Sequence, residues 1–466
     1  MSINAARHSC SFFLARLEGE IGKLREFSFP GHHTGPRKWL NFISGVLDTA
    51  SQYLEASQDQ ALTTDQASKL VREAETLGHN AYKFLQYVSG ADAAQIPHQV
   101  VAPFQRWVDA LGIKNTIFFR AEHQPNYELS WYDASSRFMA LNSPSQSLIE
   151  AFNKISWPIL RVTVPSQAMG MLPHFAVVGH ELGHAIQDQV KPNLSAHDAV
   201  LQDCYTQLQA RLLTAGIPKS ASIDVRINQI LSSWVNEIKA DAIGYYIVGP
   251  AFFFALCGFL ELAGHGYGIS PTHPPSDMRR KLLVAQLSAG SPSFVEVFER
   301  RTGLKIEEST NSPHVLACPQ TEPLFLELET VYSKVDAAIC AEFVPYAQTV
   351  APDIFAASHS YLTGICPDLV YSPELLDFDL QIHLDGLCAL VPPIEHWDKN
   401  AGKPVPSGFT SVLNVGWAAL LTRLEQIPSA PIPQGGEASK KMERLHELLL
   451  KAVELSEARR LWEEHQ

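Results

Sequence analysis

The chain has 466 residues, with 36 Lys and Arg against 49 Asp and Glu for a net charge of −13 with histidine neutral, and is 46% hydrophobic. That composition describes a globular chain with a sizeable core and excludes a disordered or fibrous one. The acidic balance excludes a general nucleic-acid binder, which needs a basic surface to displace counterions from phosphate.

Near the N-terminus the apolar patch Ser11–Ala15 is short and follows no basic start, so no secretion signal is expected. From Lys38 to Leu54 the residues Leu40, Ile43, Leu47, Ala50 and Leu54 recur at three or four, which predicts a helix with one buried face, and Thr64–Val88 continues in that style. Short aromatic and β-branched runs follow at Ile117–Phe119, Tyr127–Tyr132 and Phe138–Leu141, broken by turn residues, and these predict antiparallel strands. Ile159–Val164, bounded by Pro158 and Pro165, predicts another. A long helix from Pro173 to about Gln189 comes next, its proline in the first turn where a missing N–H costs nothing. Ile247–Leu260 is the most apolar segment. It is well short of the ~18 residues of a membrane span and reads as a buried helix. Beyond Ser291 the pattern is again helical, with Thr321 as a cap and Pro323 in the first turn of a helix to about Val344. A proline-rich linker, Pro428–Gly436, leads to a last amphipathic helix striped by Leu445, Leu448, Ala452, Leu455 and Trp462. That stripe packs on the chain itself or serves self-association or partner docking.

The fold expected is α+β and mostly helical, with a small mixed or antiparallel sheet. It divides into an N-terminal helical region 1–110, a central core 111–302 and a C-terminal helical region 303–466. The seven cysteines are far apart and form no C-x-x-C pair, which suits free thiols in a reducing cytoplasm.

Chemistry concentrates at His180-Glu181-Leu182-Gly183-His184. Two histidines four apart on a helix share a face and reach one cation, and Glu181 stands beside the water such a cation would activate, a geometry suited to zinc hydrolysis. The flanks Phe175–Val178 and Ala185–Ile186 are apolar, so the helix is expected to be buried and its polar groups to need partners. A catalytic zinc needs a third protein ligand. Glu237 and Asp241, again four apart, supply a carboxylate for the metal and a second one to hold a ligand histidine through its other ring nitrogen. His273 and Arg279, in Thr272-His273-Pro274-Pro275-Ser276-Asp277-Met278-Arg279, stand in a proline-fixed turn where they can face a developing oxyanion or the metal. Tyr246 and Tyr267 are weaker candidates for the oxyanion role, since a tyrosine beside an apolar run belongs more often to the core.

In their order along the chain these three motifs, HELGH, NEIKAD and THPPSDMR, resemble those of the gluzincin metallopeptidases, in the family of HtpX and the CAAX prenyl proteases. The resemblance covers roughly Phe138–Leu283. It implies a zincin-like core and a zinc metalloendopeptidase. In that reading His180, His184 and Glu237 are zinc ligands, Glu181 the general base and Asp241 the support behind the ligands, while His273 and Arg279 contact substrate or transition state. It also implies that an edge strand near Arg137–Asn142 binds an extended peptide or protein substrate by strand addition. Many members lie in membranes, whereas no transmembrane segment is expected here, so a prenylated or membrane-inserted substrate is not implied.

Two other readings compete. Glu181-x-x-His184 is half of a di-iron carboxylate signature and Glu443-Arg444-Leu445-His446 would supply a second E-x-x-H, but that reading needs two more glutamates from two more helices and leaves His180, Glu237 and Asp241 unexplained. A catalytically silent metal-binding module, docking partners through its helical flanks, is the second. His32-His33 read as loop residues, and His383–Asp385 with Glu395–His396 as surface pairs. No P-loop, dinucleotide fingerprint or nucleophile elbow is present.

Overall fold

The computed structural model describes every residue except 1–2, 28, 30–33, 93–95, 124–126, 135–140, 142, 167–169, 219, 263–268, 307–331, 399–401, 432–435 and 466. The fold is α+β, mostly helical with a small mixed sheet. Packing divides the chain into two compact units, Met1–Met169 and Gly170–Gln466, a boundary inside the 111–302 segment set apart by its motifs.

In the first unit the amphipathic segments form α1 (Ile3–Arg25), α2 (Gly35–Ala56), α3 (Thr64–Ser89) and α4 (His98–Ala110). The Leu40, Ile43, Leu47, Ala50 and Leu54 stripe of α2 is buried along its whole length. α1, α3 and α5 (Gln146–Asn153) all pack on α2. Gly45 lets α5 approach, since a Cβ there would lie 2.5 Å from Leu148 Cα. Trp39 gathers Phe42, Phe84, Phe118, Tyr132 and Trp157 around it with ring centroids 5.1–6.3 Å away, and its indole N–H donates to the carbonyl of Phe84.

The strands are β1 (Ile117–Glu122), β2 (Glu128–Tyr132) and β3 (Ile159–Pro165), in the order β1-β3-β2. This corrects the expected antiparallel run: β3 lies between the other two, parallel to β1 and antiparallel to β2. The reason is burial. Nearly every residue of β3 is buried, which suits the centre of a sheet, while β2 exposes Glu128 and Trp131 and takes an edge. The expected strand Phe138–Leu141 and edge strand Arg137–Asn142 lie outside the described residues, Leu141 excepted.

The second unit opens with a 3₁₀ turn, Leu172–Val177, followed by α6 (Val178–Ile186), so the expected long helix is shorter and begins in a tighter coil. α7 (Asp198–Thr214) and the long α8 (Ala221–Val248) come next. Gly249, at φ +71°, breaks the apolar run, so Ile247 and Val248 finish α8 and the rest belongs to α9 (Pro250–Leu262). A side chain at Gly249 would be strained by that φ and would meet Tyr371 2.6 Å away. Then follow α10 (Ser276–Leu287) and α11 (Phe294–Thr302). The Thr321 cap and Pro323 lie outside the described residues. Of the expected segment the described residues form α12 (Lys334–Glu342), which starts at a Ser333 cap and is separate from α13 (Val344–Ile365), whose first turn holds Pro345.

α14 (Pro373–Cys388) leads to a hairpin, β4 (Glu395–Asp398) and β5 (Lys403–Pro406), where helix was expected. Pro404 and Pro406 are tolerated because a two-stranded ribbon leaves edges unpaired. α15 (Phe409–Thr422) and α16 (Glu437–Glu464) close the chain. Leu445, Leu448 and Ala452 of α16 are buried as expected, but Leu455 is 38% and Trp462 63% exposed. The packing face instead turns polar after Val453, and Ser456, Arg459 and Arg460 donate to the carbonyls of Ile394, Pro404 and Pro406. α15 and α16 also brace the 3₁₀ turn. Trp417 donates to Pro173 O at 2.9 Å and Leu172 N–H donates to His446 Nδ1 at 3.0 Å. Among the described residues no helix is long and apolar enough to cross a membrane, and none of the six described cysteines is in a disulfide.

Candidate metal centre

Two ladders with a step of four residues build the site. On α6, Gly179 and Gly183 form one edge and His180 and His184 the next; on α8, Ala240 and Gly244 lie beside Glu237 and Asp241. The small residues face one another. A Cβ on Gly183 would stand 2.4 Å from Ala240 Cα, and one on Gly244 3.0 Å from the backbone nitrogen of His180. Only glycine permits that backbone approach. It sets the two histidines opposite the two carboxylates.

His180 Nε2 lies 3.1 Å from His184 Nε2 and 3.4 Å from Glu237 Oε2, and His184 Nε2 lies 3.3 Å from Glu237 Oε1. Ligand atoms bonded at ~2.0–2.1 Å around a tetrahedral centre are separated by about 3.3 Å, so these three groups fit one zinc-sized cation. The other ring nitrogens are occupied. His180 Nδ1 meets Asp241 Oδ1 at 2.9 Å and His184 Nδ1 meets Gln187 Oε1 at 3.0 Å. Both partners accept, so each Nδ1 carries the hydrogen and each Nε2 turns a lone pair to the same point. Glu237 Oε2 is buried with no hydrogen-bond partner among the described residues, a state a cation at that point would relieve.

Charge agrees with geometry. Glu181, Glu237 and Asp241 are buried against one buried guanidinium, Arg279, which with neutral imidazoles leaves two negative charges for a divalent ion to balance. Where no cation is bound, a proton does that work: burial drives His180 toward its neutral form, but Asp241 and Glu237 outweigh it and raise its pKa to about 10. Glu237 and Asp241 would be raised by burial, yet the histidines and Arg279 hold both below the usual carboxylate range.

Of the other sequence candidates, Glu181 is buried in the first turn of α6 and its charge reaches Arg279. Arg279 comes to the site from behind. Its side chain is 5% exposed, Nε and Nη2 each donate to Asp241 at 2.7 Å, and Nη2 is 3.6 Å from Glu237. His273 is 52% exposed, with Nδ1 against Thr272 Oγ1 at 2.9 Å and Nε2 3.7 Å from Glu237. It is not one of the three residues whose ligand atoms lie within 4.8 Å of one another. Tyr246 instead packs on Phe355 and His359, nine positions and half a helical revolution from Glu237. Tyr267, His32 and His33 lie outside the described residues. His446, required by the di-iron reading, is turned to the 3₁₀ turn, where burial lowers its pKa to about 4. His383, expected at the surface, is buried with Nε2 3.4 Å from Ser407 Oγ.

Gln187 carries no motif; its one sequence signal is its place three residues after His184. Comparison with protein-family models, curated proteins and solved structures returns no match.

Proposed function

We propose that the protein is a zinc-dependent endopeptidase acting on peptide or protein substrates, with His180, His184 and Glu237 as the metal ligands. The observation that carries this reading is the convergence of two bare imidazole nitrogens and a carboxylate within 3.1–3.4 Å, with a second buried carboxylate, Glu181, in the same helix. Zinc held there supplies Lewis acidity, which lowers the pKa of water and polarises a carbonyl. Glu181 takes the proton of the attacking water and returns it to the leaving amine. Asp241 fixes the tautomer of His180, and Arg279 holds Asp241 in place, the role its two short bonds fit better than contact with substrate. His273 stands on the accessible side. In the tautomer whose Nδ1 accepts from the Thr272 hydroxyl, its Nε2–H can donate to a developing oxyanion. The described cysteines, none of them in a disulfide, suit a reducing cytoplasm.

Digestion of a peptide library by the zinc-loaded chain tests the reading. Cleavage that stops with a chelator and in Glu181→Gln supports it. No cleavage by zinc-loaded protein under any activation condition would contradict it and favour the catalytically silent module.

A further inference from the structure

The two ligand histidines are braced by two different arms. His180 Nδ1 is held by Asp241, whose carboxylate is held in turn by Arg279 through two 2.7 Å bonds. His184 Nδ1 meets Gln187 Oε1 at 3.0 Å, and the backbone carbonyl of Gln187 accepts from Lys239 Nζ at 3.1 Å. Each arm therefore runs from imidazole to acceptor to cation. Gln187 is the residue at which α6 ends, where helix carbonyls lack a partner within the helix. Lys239, buried on α8 between Glu237 and Asp241 in sequence, supplies that partner and thereby fixes where the Gln187 side chain begins.

The orientation of the amide decides what His184 offers. Turned so that its oxygen faces the ring, Gln187 leaves the hydrogen on Nδ1 and a lone pair on Nε2. Turned so that its amino group faces the ring, it would force Nδ1 to accept and put the hydrogen on Nε2, aimed at His180 Nε2 3.1 Å away and filling the place of a metal. We infer that Gln187, anchored by Lys239, is a positioning residue that keeps His184 in its metal-binding tautomer. The inference rests on the peptidase reading, and the arm differs from that of His180 in having an uncharged amide as its acceptor and in being more exposed: the side chain of His184 is 24% accessible and that of His180 8%.

Zinc affinity of the full chain, measured by competition with a chromogenic chelator, tests it together with the nitrogen-15 NMR shift of His184 Nδ1. Gln187→Leu keeps the volume and removes the acceptor; zinc affinity is expected to fall about 10–100-fold and the Nδ1–H signal to be lost or broadened. Gln187→Glu restores an acceptor and is expected to recover wild-type affinity and the Nδ1–H signal. The inference is overturned if Gln187→Leu binds zinc as tightly as wild type, or if Gln187→Glu is as weak as Gln187→Leu. Failure of the peptidase reading looks different: the zinc-loaded wild-type chain would cleave no peptide whatever the Gln187 variants do to zinc affinity, or the wild-type chain itself would take up no zinc.

Discussion

The layer around Trp39 and the pair α6–α8 are both helix contacts, held by opposite means. In the first, five aromatic residues crowd within 6.3 Å of one indole and side-chain bulk sets the spacing of the elements. In the second, side chains are absent where the helices meet, at Gly179, Gly183 and Gly244, and the closeness gained places two histidines, three carboxylates and an arginine in one group, buried except at His184. Burying charge is costly unless it is paired, so the second contact is an expensive way to hold helices together. The difference separates a contact built for stability from one built to aim side chains.

Four substitutions probe that separation, beginning with the largest effect. Glu181→Gln should lower peptidase activity about 10²–10⁴-fold while zinc content stays at one per chain, which metal analysis beside a cleavage assay will show. Trp39→Ala should destabilise the first unit by about 3–5 kcal/mol in denaturant unfolding and leave zinc affinity of the folded chain unchanged. Gly183→Ala sets a methyl against the Ala240 backbone and should cost about 1–3 kcal/mol, and, unlike Trp39→Ala, it should also weaken zinc binding. A loss of zinc in Trp39→Ala, or none in Gly183→Ala, would break the comparison.

The fourth substitution concerns a buried carboxylate that has a hydroxyl rather than a cation beside it. Asp379 accepts from Tyr371 Oη–H at 2.7 Å, and burial, opposed by bonds from Ser411 and Tyr371, pushes its pKa up to about 6. Its folded pKa lies above its ordinary one, so its contribution to stability is full below the ordinary range near pH 4 and is lost as pH rises through about 6. Asp379→Asn should therefore stabilise the protein by on the order of 2 kcal/mol at pH 8, with the gain shrinking as pH falls toward 5. Denaturant unfolding across that range checks it.

The residues that meet at the candidate centre were legible in pairs because their spacing is local: His180 with His184 and Glu237 with Asp241 each repeat at one helical turn, and a single face follows from the period alone. The amphipathic helices of the first unit were legible for the same reason. What the pattern could not carry depends on contacts between distant segments. The meeting of Gly183 with Ala240 is invisible until the two helices are brought together, although glycines one step ahead of each histidine are its trace. The same holds for β3 entering between β1 and β2, and for Arg279, whose charge reads as substrate-facing until Asp241 is found in front of it. The break at Gly249 had a local signal in Gly-Pro. The apolar run around it was simply the stronger pattern.

X-ray absorption at the zinc edge on the zinc-loaded chain tests the central claim most directly. The account predicts one zinc per chain bound by two imidazole nitrogens and oxygen ligands, with one imidazole lost from the spectrum in His184→Ala. Sulfur in the coordination sphere, or a wild-type spectrum unchanged by His184→Ala, would contradict it.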